Sequence, residues 1–268
     1  MKEKNNFSHE HLLYLKQIKK ESTIVLLLRI FLLIGLLSIW EILARLNIID
    51  TFITSSPSKM AVTLVKLFSE NNLIHHASVT LYETILGFLI AVILGYSIAL
   101  YLWWSDRARK VLEPYIIVLN SLPKIALGPI IIVWCGSGSK AIIFMAVLIG
   151  LIVAIITMLN GFLAIDKDKI LLLRSMGASK IQIMQKLVIP GSFPTFISML
   201  KINVGMAWIG SIMGEYLVSK AGLGYLIVYG SQVFKLDLVM STTLILCVLE
   251  TLMYACVSSL EKLLIKNK

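Results

Sequence analysis

Long apolar stretches alternate with shorter polar segments along most of this chain. Six of the apolar stretches have close to the ~20 residues that an α-helix needs to cross the hydrocarbon core of a membrane. They occupy residues 24–46, 81–103, 111–134, 141–163, 193–216 and 238–260. The pattern therefore predicts an all-α integral membrane protein with about six transmembrane helices.

The composition agrees with a membrane location and changes how the net charge is interpreted. Hydrophobic residues make up 58% of the 268 residues and charged residues only 15%, whereas a soluble domain carries about a quarter charged residues. In a soluble protein the net charge of +10 would suggest nucleic acid, but basic residues also collect in the cytoplasmic loops of membrane proteins. We therefore expect lipid, and not nucleic acid, as a partner.

The first apolar stretch marks the boundary between a polar N-terminal segment and the predicted transmembrane domain. Residues 1–23 are polar and charged. The stretch that follows is too long for a signal-peptide core, and no cleavage site comes after it. We expect a cytoplasmic N-terminal tail at 1–23, a transmembrane domain at 24–263 and a cytoplasmic C-terminal tail at 264–268.

The basic residues are distributed unequally between alternate polar segments. Sixteen of the 25 lie in the N-terminal tail, in the loop near residue 107, in the segment 166–190 and at the C-terminus. Six lie in the other loops, if Arg45 at the end of the first span is counted with them, and three lie inside the predicted spans. Because lysine and arginine favour the cytoplasmic side, we expect both termini and the segment 166–190 to be cytoplasmic.

The segment 166–190 is longer than a connection between two spans requires, since helix connections usually take only a few residues. Its periodicity predicts a short helix over 169–176, which Gly177 would end in the left-handed conformation. The segment would either dock on a soluble partner or rest on the lipid surface as an amphipathic helix pair.

A second short helix is predicted directly after this bend. Ser179 and Gln182 form a capping-box pattern, which would begin the helix at Lys180. Three apolar positions would share one face of that helix: Ile181, Met184 and Val188. Pro190 and Pro194 would close the segment before span five.

Ionisable residues inside predicted spans are candidates for a polar pathway, because such groups usually face the interior of a bundle or a wet cavity. The candidates are Arg29, Glu83, Lys124, Lys201 and Glu250, with Glu215 at the end of a span. Lys124 and Glu215 are the candidates for solute contact. Arg29 and Lys201 could instead extend toward the cytoplasmic interface.

Prolines and glycines mark irregular or close-packed places in two spans. Pro123 and Pro129 would break span three, either because the break lines a pathway or because it is a packing kink. Gly210 and Gly214 in span five permit close helix packing, which could join two copies of the chain.

The sequence offers no enzyme chemistry. It contains no phosphate-binding loop of the G-x-x-x-x-G-K-[ST] type, no paired carboxylates and no nucleophile with its base. Cys135, Cys247 and Cys256 have neither metal-site nor disulfide spacing. We therefore expect no cofactor and no catalytic residue.

Several short motifs together carry a family resemblance that covers about residues 55–260. They are Gly177-Ala178-Ser179, Leu187-Val188-Ile189-Pro190, Trp134-Cys135-Gly136-Ser137-Gly138, Glu215 after Gly214, and Gly222-Leu223-Gly224-Tyr225-Leu226. The combination resembles the permeases of binding-protein-dependent ABC importers, within the nitrate/sulfonate/taurine branch.

The resemblance implies a type I ABC importer permease fold in a bacterial cell membrane. It implies three kinds of partner: two ABC ATPase subunits that hydrolyse ATP, an external solute-binding protein, and a second permease copy in a homodimer. The solute would be a small anion of the sulfonate, nitrate or taurine type, or a vitamin precursor.

The resemblance also implies that the segment 166–190 forms coupling helices that sit in a cleft of the ATPase. The family's Glu-Ala-Ala positions hold Leu171-Leu172-Leu173 here, so that apolar docking would replace a polar contact. The implied coupling residues are Leu171, Leu172, Leu173, Arg174, Gly177, Ala178, Ser179 and Pro190, and the pathway candidates are Pro123, Lys124 and Glu215.

The alternative class is a self-contained secondary transporter or channel. Such proteins often contain inverted repeats and ionisable residues at the membrane midplane. The sequence shows no convincing repeat, and the segment 166–190 has no obvious place in such a protein.

Overall fold

The computed structural model describes residues 9–69 and 72–265, and every regular element in these two ranges is helical. The chain forms two compact units, Met1–Thr63 and Leu64–Lys268. The elements are α1 (His9–Arg45), α2 (Thr51–Thr54), α3 (Pro57–Ser69), α4 (Asn72–Trp104), α5 (Asp106–Ser121), a 3₁₀ turn (Lys124–Leu127), α6 (Gly128–Cys135), α7 (Ser139–Leu163), α8 (Lys167–Ser175), α9 (Lys180–Ile183), a π turn (Met184–Val188), α10 (Ile189–Gly191), α11 (Phe193–Val218), α12 (Leu223–Gln232) and α13 (Leu236–Ile265).

The predicted number of spans is confirmed by helix length and composition. Five helices in the described ranges are long and apolar enough to cross a membrane: Gln17–Arg45, Leu73–Trp104, Ser139–Leu163, Phe193–Val218 and Leu236–Lys262. A sixth span is possible if the bent pair Asp106–Ser121 and Lys124–Cys135 crosses as one unit.

In the first unit, α1 is one continuous helix of 37 residues. It begins at His9, so part of the predicted polar tail is helical and runs directly into the first span; residues 1–8 lie outside the described ranges. Glu41 fixes the end of this helix, because its carboxylate accepts hydrogen bonds from the Arg45 side chain at 2.7 Å and from the Ser58 N–H at 3.1 Å.

The core of the second unit lies between three long helices. Helix α7 packs against both α4 and α11, and α4 and α11 also contact each other. Large side chains fill the space between them: Phe88, Leu102, Met158, Phe162, Val204 and Trp208. The ring of Tyr96 meets Phe162 and Phe196 edge-on, with 5.6 Å between centroids in both pairs.

Small residues allow these helices to approach closely. A Cβ on Gly214 would lie 2.9 Å from the Cα of Ile142 in α7, and one on Gly210 would collide with the backbone of Ala146. The predicted packing role of these glycines is confirmed, but their assignment to a contact between two copies is wrong. The two positions face α7 of the same chain, which leaves no room there for another helix.

The predicted break in the third span is also confirmed. Helix α5 ends at Ser121, Leu122 is extended with ψ 139°, and the helices before and after Pro123 are bent by 88°. The cause is local, because proline lacks an N–H and disfavours helical backbone at the residue before it. The predicted span 111–134 is therefore two helices joined by a 3₁₀ turn, and Pro129, which lies in the first turn of α6, adds no second break.

Candidate functional site

The candidate site is the bend between α8 and α9, where the sequence predicts coupling residues. The Asp166 carboxylate begins α8 by accepting the Asp168 N–H at 2.9 Å. The helix ends at Ser175, and Gly177 adopts φ +81° as predicted.

Two backbone hydrogen bonds close the C-terminus of α8 in a Schellman motif. The Gly177 N–H donates to the Arg174 carbonyl and the Ala178 N–H to the Leu173 carbonyl, both at 2.9 Å. This motif requires the left-handed conformation at Gly177, which a side chain would strain.

A capping box begins the next helix and confirms the second local prediction. The Ser179 hydroxyl accepts the Gln182 N–H at 3.3 Å, and the Gln182 side-chain oxygen accepts the Ser179 N–H at 2.8 Å. Each helix therefore has its own terminating contacts at the bend, and only Gly177 and Ala178 lie between Met176 and Ser179. Specific hydrogen bonds at the bend therefore fix the angle between α8 and α9.

Lys180, the first residue of α9, ties the bend to the end of α4. Its ammonium donates to the carbonyl oxygen of Trp104 at 2.5 Å. It also lies 5.1 Å from the Trp104 ring centroid and 5.9 Å from that of Trp103. The last carbonyls of a helix lack partners within the helix and carry negative partial charge, so a cation there is stabilising.

This contact of Lys180 was not predicted from the sequence. A cation at the first position of a helix is unfavourable by the helix dipole alone, and this could have indicated a partner outside the helix. Nothing in the local pattern identifies Trp104 as that partner, because the two residues are 76 positions apart.

The inner face of the bend packs on the transmembrane core. Ile183 and Val188 are buried, and Leu173 and Ala178 are partly buried against the same cluster. The three positions predicted to share one face differ in burial, because Val188 is buried, Met184 is half-buried and Ile181 is 53% exposed. The π turn Met184–Val188 explains the shift, since its wider turns place residues five apart on one side.

Pro190 does not close the segment as predicted. It occupies the first turn of α10, where a missing N–H is tolerated. Only Ser192 separates α10 from α11, so that the helical path from the bend into the core span is almost continuous.

The outer face of the bend is apolar and exposed. Four large side chains there are exposed by more than half: Leu171 at 65%, Leu172 at 60%, Met176 at 74% and Ile181 at 53%. Arg174 is exposed beside them. A cleft of about 280 Å³ opens in the bend between Leu173, Met176, Gly177, Ala178, Gln182 and Lys186. Of the predicted coupling residues, Leu173, Gly177 and Ala178 therefore meet at the cleft, whereas Leu171, Leu172 and Pro190 are exposed and do not line it.

The predicted pathway residue Glu215 is buried, with 1% of its surface exposed. One oxygen of its carboxyl group accepts the Gly224 N–H at 2.6 Å, and the carboxyl group fills the space above Gly222, which has φ +116°. A second buried carboxyl group, that of Glu83, lies beside it.

Two side chains of α4 complete the support of the α12 N-terminus. His76 Nδ1 accepts the Gly222 N–H at 2.9 Å, and the Thr80 hydroxyl accepts the Leu223 N–H at 2.8 Å. With the bond to Glu215, three successive N–H groups that the helix itself cannot satisfy have acceptors. The Gly222-Leu223-Gly224 motif is thus the place where α12 is fixed to α4 and α11.

Lys124, the other predicted pathway residue, lies at the break between α5 and α6. Its ammonium donates to the Asn120 carbonyl at 3.0 Å, which satisfies a group that the break after Ser121 leaves without its helical partner. The adjacent Pro123 is exposed. The two predicted pathway residues therefore have different contacts: Lys124 bonds at the break between α5 and α6, and Glu215 bonds at the start of α12.

Comparisons with known proteins agree with this architecture. Residues 87–267 match the family described as binding-protein-dependent transport system inner membrane component. A probable ABC transporter permease protein of Haemophilus influenzae is 31% identical over 230 residues, which cover 85% of this chain and 93% of that protein.

Two further relatives have names that include a solute. The formylaminopyrimidine transport permease protein ThiX of Halalkalibacterium halodurans is 29% identical, over 86% of this chain and 91% of that protein. The putative aliphatic sulfonates transport permease protein SsuC of Bacillus subtilis is 25% identical, over 86% of this chain and 84% of that protein.

Solved transporter structures share the fold. A chain of the MetNI methionine ABC transporter in an inward-facing conformation superposes with a TM-score of 0.60 at 20% identity, covering 68% of this chain and 91% of that chain. A chain of a bacterial ABC transporter that imports the polysaccharide alginate superposes with a TM-score of 0.64 at 14% identity, covering 92% and 98%. The protein therefore belongs to the binding-protein-dependent transport system inner membrane components, and within them to the ABC importer permeases of the nitrate/sulfonate/taurine branch.

Proposed function

We propose that this chain is the membrane subunit of an ATP-driven importer in a bacterial cell membrane. Two copies form the pathway, two ABC ATPase subunits dock on their basic segments 166–190, and an external binding protein delivers a small solute. The observation that carries the proposal is the bend at Gly177, which is packed into the core on one side and exposes apolar side chains on the other.

The geometry of the bend favours a shaped protein partner over a lipid surface. Lipid takes up apolar area at many helix angles, so it gives no reason to fix one angle with a Schellman motif, a capping box and the Lys180–Trp104 contact. Capping interactions each contribute about 1 kcal/mol. A protein cleft of fixed shape, by contrast, distinguishes between angles.

The exposed leucines supply the apolar part of the docking surface. Leu171 and Leu172 take the place of a polar contact and offer burial against the ATPase, with about 25 cal/mol for each Å² removed from water. Arg174 and the lysines of the segment supply the polar rim. An outer face of this kind is typical of a protein interaction site.

The orientation follows from the distribution of basic residues. With sixteen of 25 in the tails and alternate loops that include 166–190, both termini and the docking segment face the cytoplasm. The ATPase subunits then approach from the cytoplasm and the binding protein from outside.

The solute is a small polar molecule such as a sulfonate or a vitamin precursor; the names of two relatives include aliphatic sulfonates and formylaminopyrimidine. Our candidates for residues along the pathway are Pro123 and Lys124, at the break between α5 and α6, and Glu215, near the C-terminal end of α11. The binding protein performs most of the selection, because it meets the solute first.

Reconstitution distinguishes this proposal from a self-contained secondary transporter. The chain is placed in proteoliposomes with and without the ATPase and the loaded binding protein, and solute uptake is measured with ATP or with a proton or sodium gradient. Uptake that requires both partners and ATP is expected. Uptake by the chain alone, driven by an ion gradient, would establish the secondary transporter instead.

A further inference from the structure

Helix α13 presents three different faces. One face packs against α11 and α12 through Leu238, Thr242, Leu249 and Val257. A second face is exposed and apolar, with Leu244, Val248 and Leu252 exposed by 44%, 52% and 57%. The third face, which we call the polar flank, is exposed and consists of Thr243, Cys247, Glu250, Thr251 and Tyr254.

Glu250 lies at the middle of this span. The apolar part of α13 runs from Leu236 to Lys262, so Glu250 is near its centre. Its Oε1 lies above Gly205, which is in the middle of α11, and would be 3.7 Å from a Cβ placed there.

Glu250 has no basic partner among the residues that the structure describes. Lys201, the cation of α11 on this side, is held by Glu261 at 2.5 Å, nearer the C-terminal end of α13. An unpaired carboxylate at the bilayer centre costs about 2.5–3.5 kcal/mol on insertion scales when it faces lipid. Because an apolar face of the same helix is available for lipid, a wet pathway is the more favourable surrounding for the polar flank.

The two threonine hydroxyls of the polar flank donate their protons to carbonyls of the same helix. Thr243 donates to the Val239 carbonyl at 2.9 Å, and Thr251 donates to the Cys247 carbonyl at 2.7 Å. Their oxygens therefore present only lone pairs to the outside, as does the carboxylate of Glu250. Between Thr243 and Thr251 the polar flank offers acceptors and negative charge.

We propose that Glu250 lines the water-filled pathway at its midplane and selects solutes that carry a cationic or N–H-donating nitrogen. This proposal rests on the proposed function as a permease. A plain sulfonate or nitrate group is repelled by the carboxylate, whereas an ammonium or amino group finds a charge-assisted acceptor. Glu250 thus narrows the solute class toward amine-containing molecules.

The chain's own cysteines provide the test. Cys247 lies one turn from Glu250 on the polar flank. Cys256 lies nine residues after Cys247, on the opposite side of the helix from it. The full chain in membrane vesicles is treated with a cationic and an anionic methanethiosulfonate of similar size, and the reaction rate of each cysteine is followed by mass spectrometry. The two reagents are themselves the charged probes.

Cys247 is expected to react about tenfold faster with the cationic reagent, because a carboxylate within one turn attracts it in a partly screened site. Glu250→Gln should remove this preference without removing the reaction, and Cys256 should stay nearly inert with both reagents. Equal rates at Cys247, an unreactive Cys247, or a preference that survives in Glu250→Gln would overturn the proposal. The labelling requires neither ATP nor uptake, so its failure is distinct from failure of ATP-driven transport.

Discussion

The side-chain ammonium of Lys180 lies 2.5 Å from the main-chain carbonyl oxygen of Trp104. The contact joins the first residue of α9 to the last residue of α4, and α4 packs along α7 in the core of the second unit. A force on the bend at Gly177 therefore reaches a transmembrane helix through one polar contact as well as through the apolar inner face.

We expect Lys180→Ala to lower transport severalfold while leaving the chain abundant in the membrane. The change removes a charge-assisted hydrogen bond and two cation–π contacts, worth together about 2–3 kcal/mol. Lys180→Arg should restore part of the activity, because arginine also donates to a carbonyl and stacks on tryptophan. The measurements are ATP-dependent uptake and membrane abundance.

Lys169→Ala is the matched control for Lys180→Ala, since Lys169 is an exposed cation of α8 in the same segment. If both alanine variants lose equal activity, the general positive charge of the segment matters and the contact with Trp104 does not.

Gly177→Val should weaken association with the ATPase while leaving membrane insertion intact. Gly177 has φ +81° and Gly136 has φ +78°, and a Cβ at either position would meet no atom within 4 Å. Valine therefore introduces backbone strain of about 1–2 kcal/mol at each position, and no steric clash. Both variants should insert, but only Gly177→Val should lose ATPase association, as measured by co-purification. Equal association in the two variants would show that the bend does not set the docking geometry.

Glu215→Ala should destabilise the chain, because it leaves the buried Gly224 N–H without its acceptor, at about 1–3 kcal/mol. Glu215→Gln keeps a carbonyl oxygen for that N–H and should retain most of the stability. Thermal unfolding in detergent measures both effects. If Gln keeps the stability but abolishes uptake, the charge of Glu215 contributes to transport as well as to the attachment of α12.

Labelling of single cysteines should locate the two sides of the membrane. In a background without the native cysteines, Ser69→Cys in α3 should react with an impermeant thiol reagent in intact cells. Ser175→Cys at the end of α8 should react only after permeabilisation, because its segment is rich in basic residues. Reaction of Ser175→Cys from outside would reverse the proposed orientation.

Features with a local cause were predictable from the sequence. The left-handed Gly177, the capping box from Ser179 to Gln182 and the break at Pro123 each follow from the chemistry of a few neighbouring residues. The long helices were predicted from the length of the apolar stretches, and the family motifs indicated the fold.

Features that depend on distant partners could not be predicted in the same way. The apolar face of α9 was assigned from a regular helical period, and the π turn after Ile183 changed that period. The acceptors at Gly222 and Leu223 come from α4, more than 140 residues earlier in the chain. The sequence likewise showed only that Glu215 lies at the end of a span, and not that its carboxylate accepts the Gly224 N–H.

The most direct test of ATPase docking is site-specific photocrosslinking in intact cells at two adjacent leucines of the bend. Leu172 is 60% exposed, whereas Leu173 is partly buried against the transmembrane core. A photoreactive residue in place of Leu172 should capture a protein that carries an ATP-binding phosphate loop, and one in place of Leu173 should react within the chain. Capture of lipid alone from position 172, in cells that transport the solute, would contradict the account.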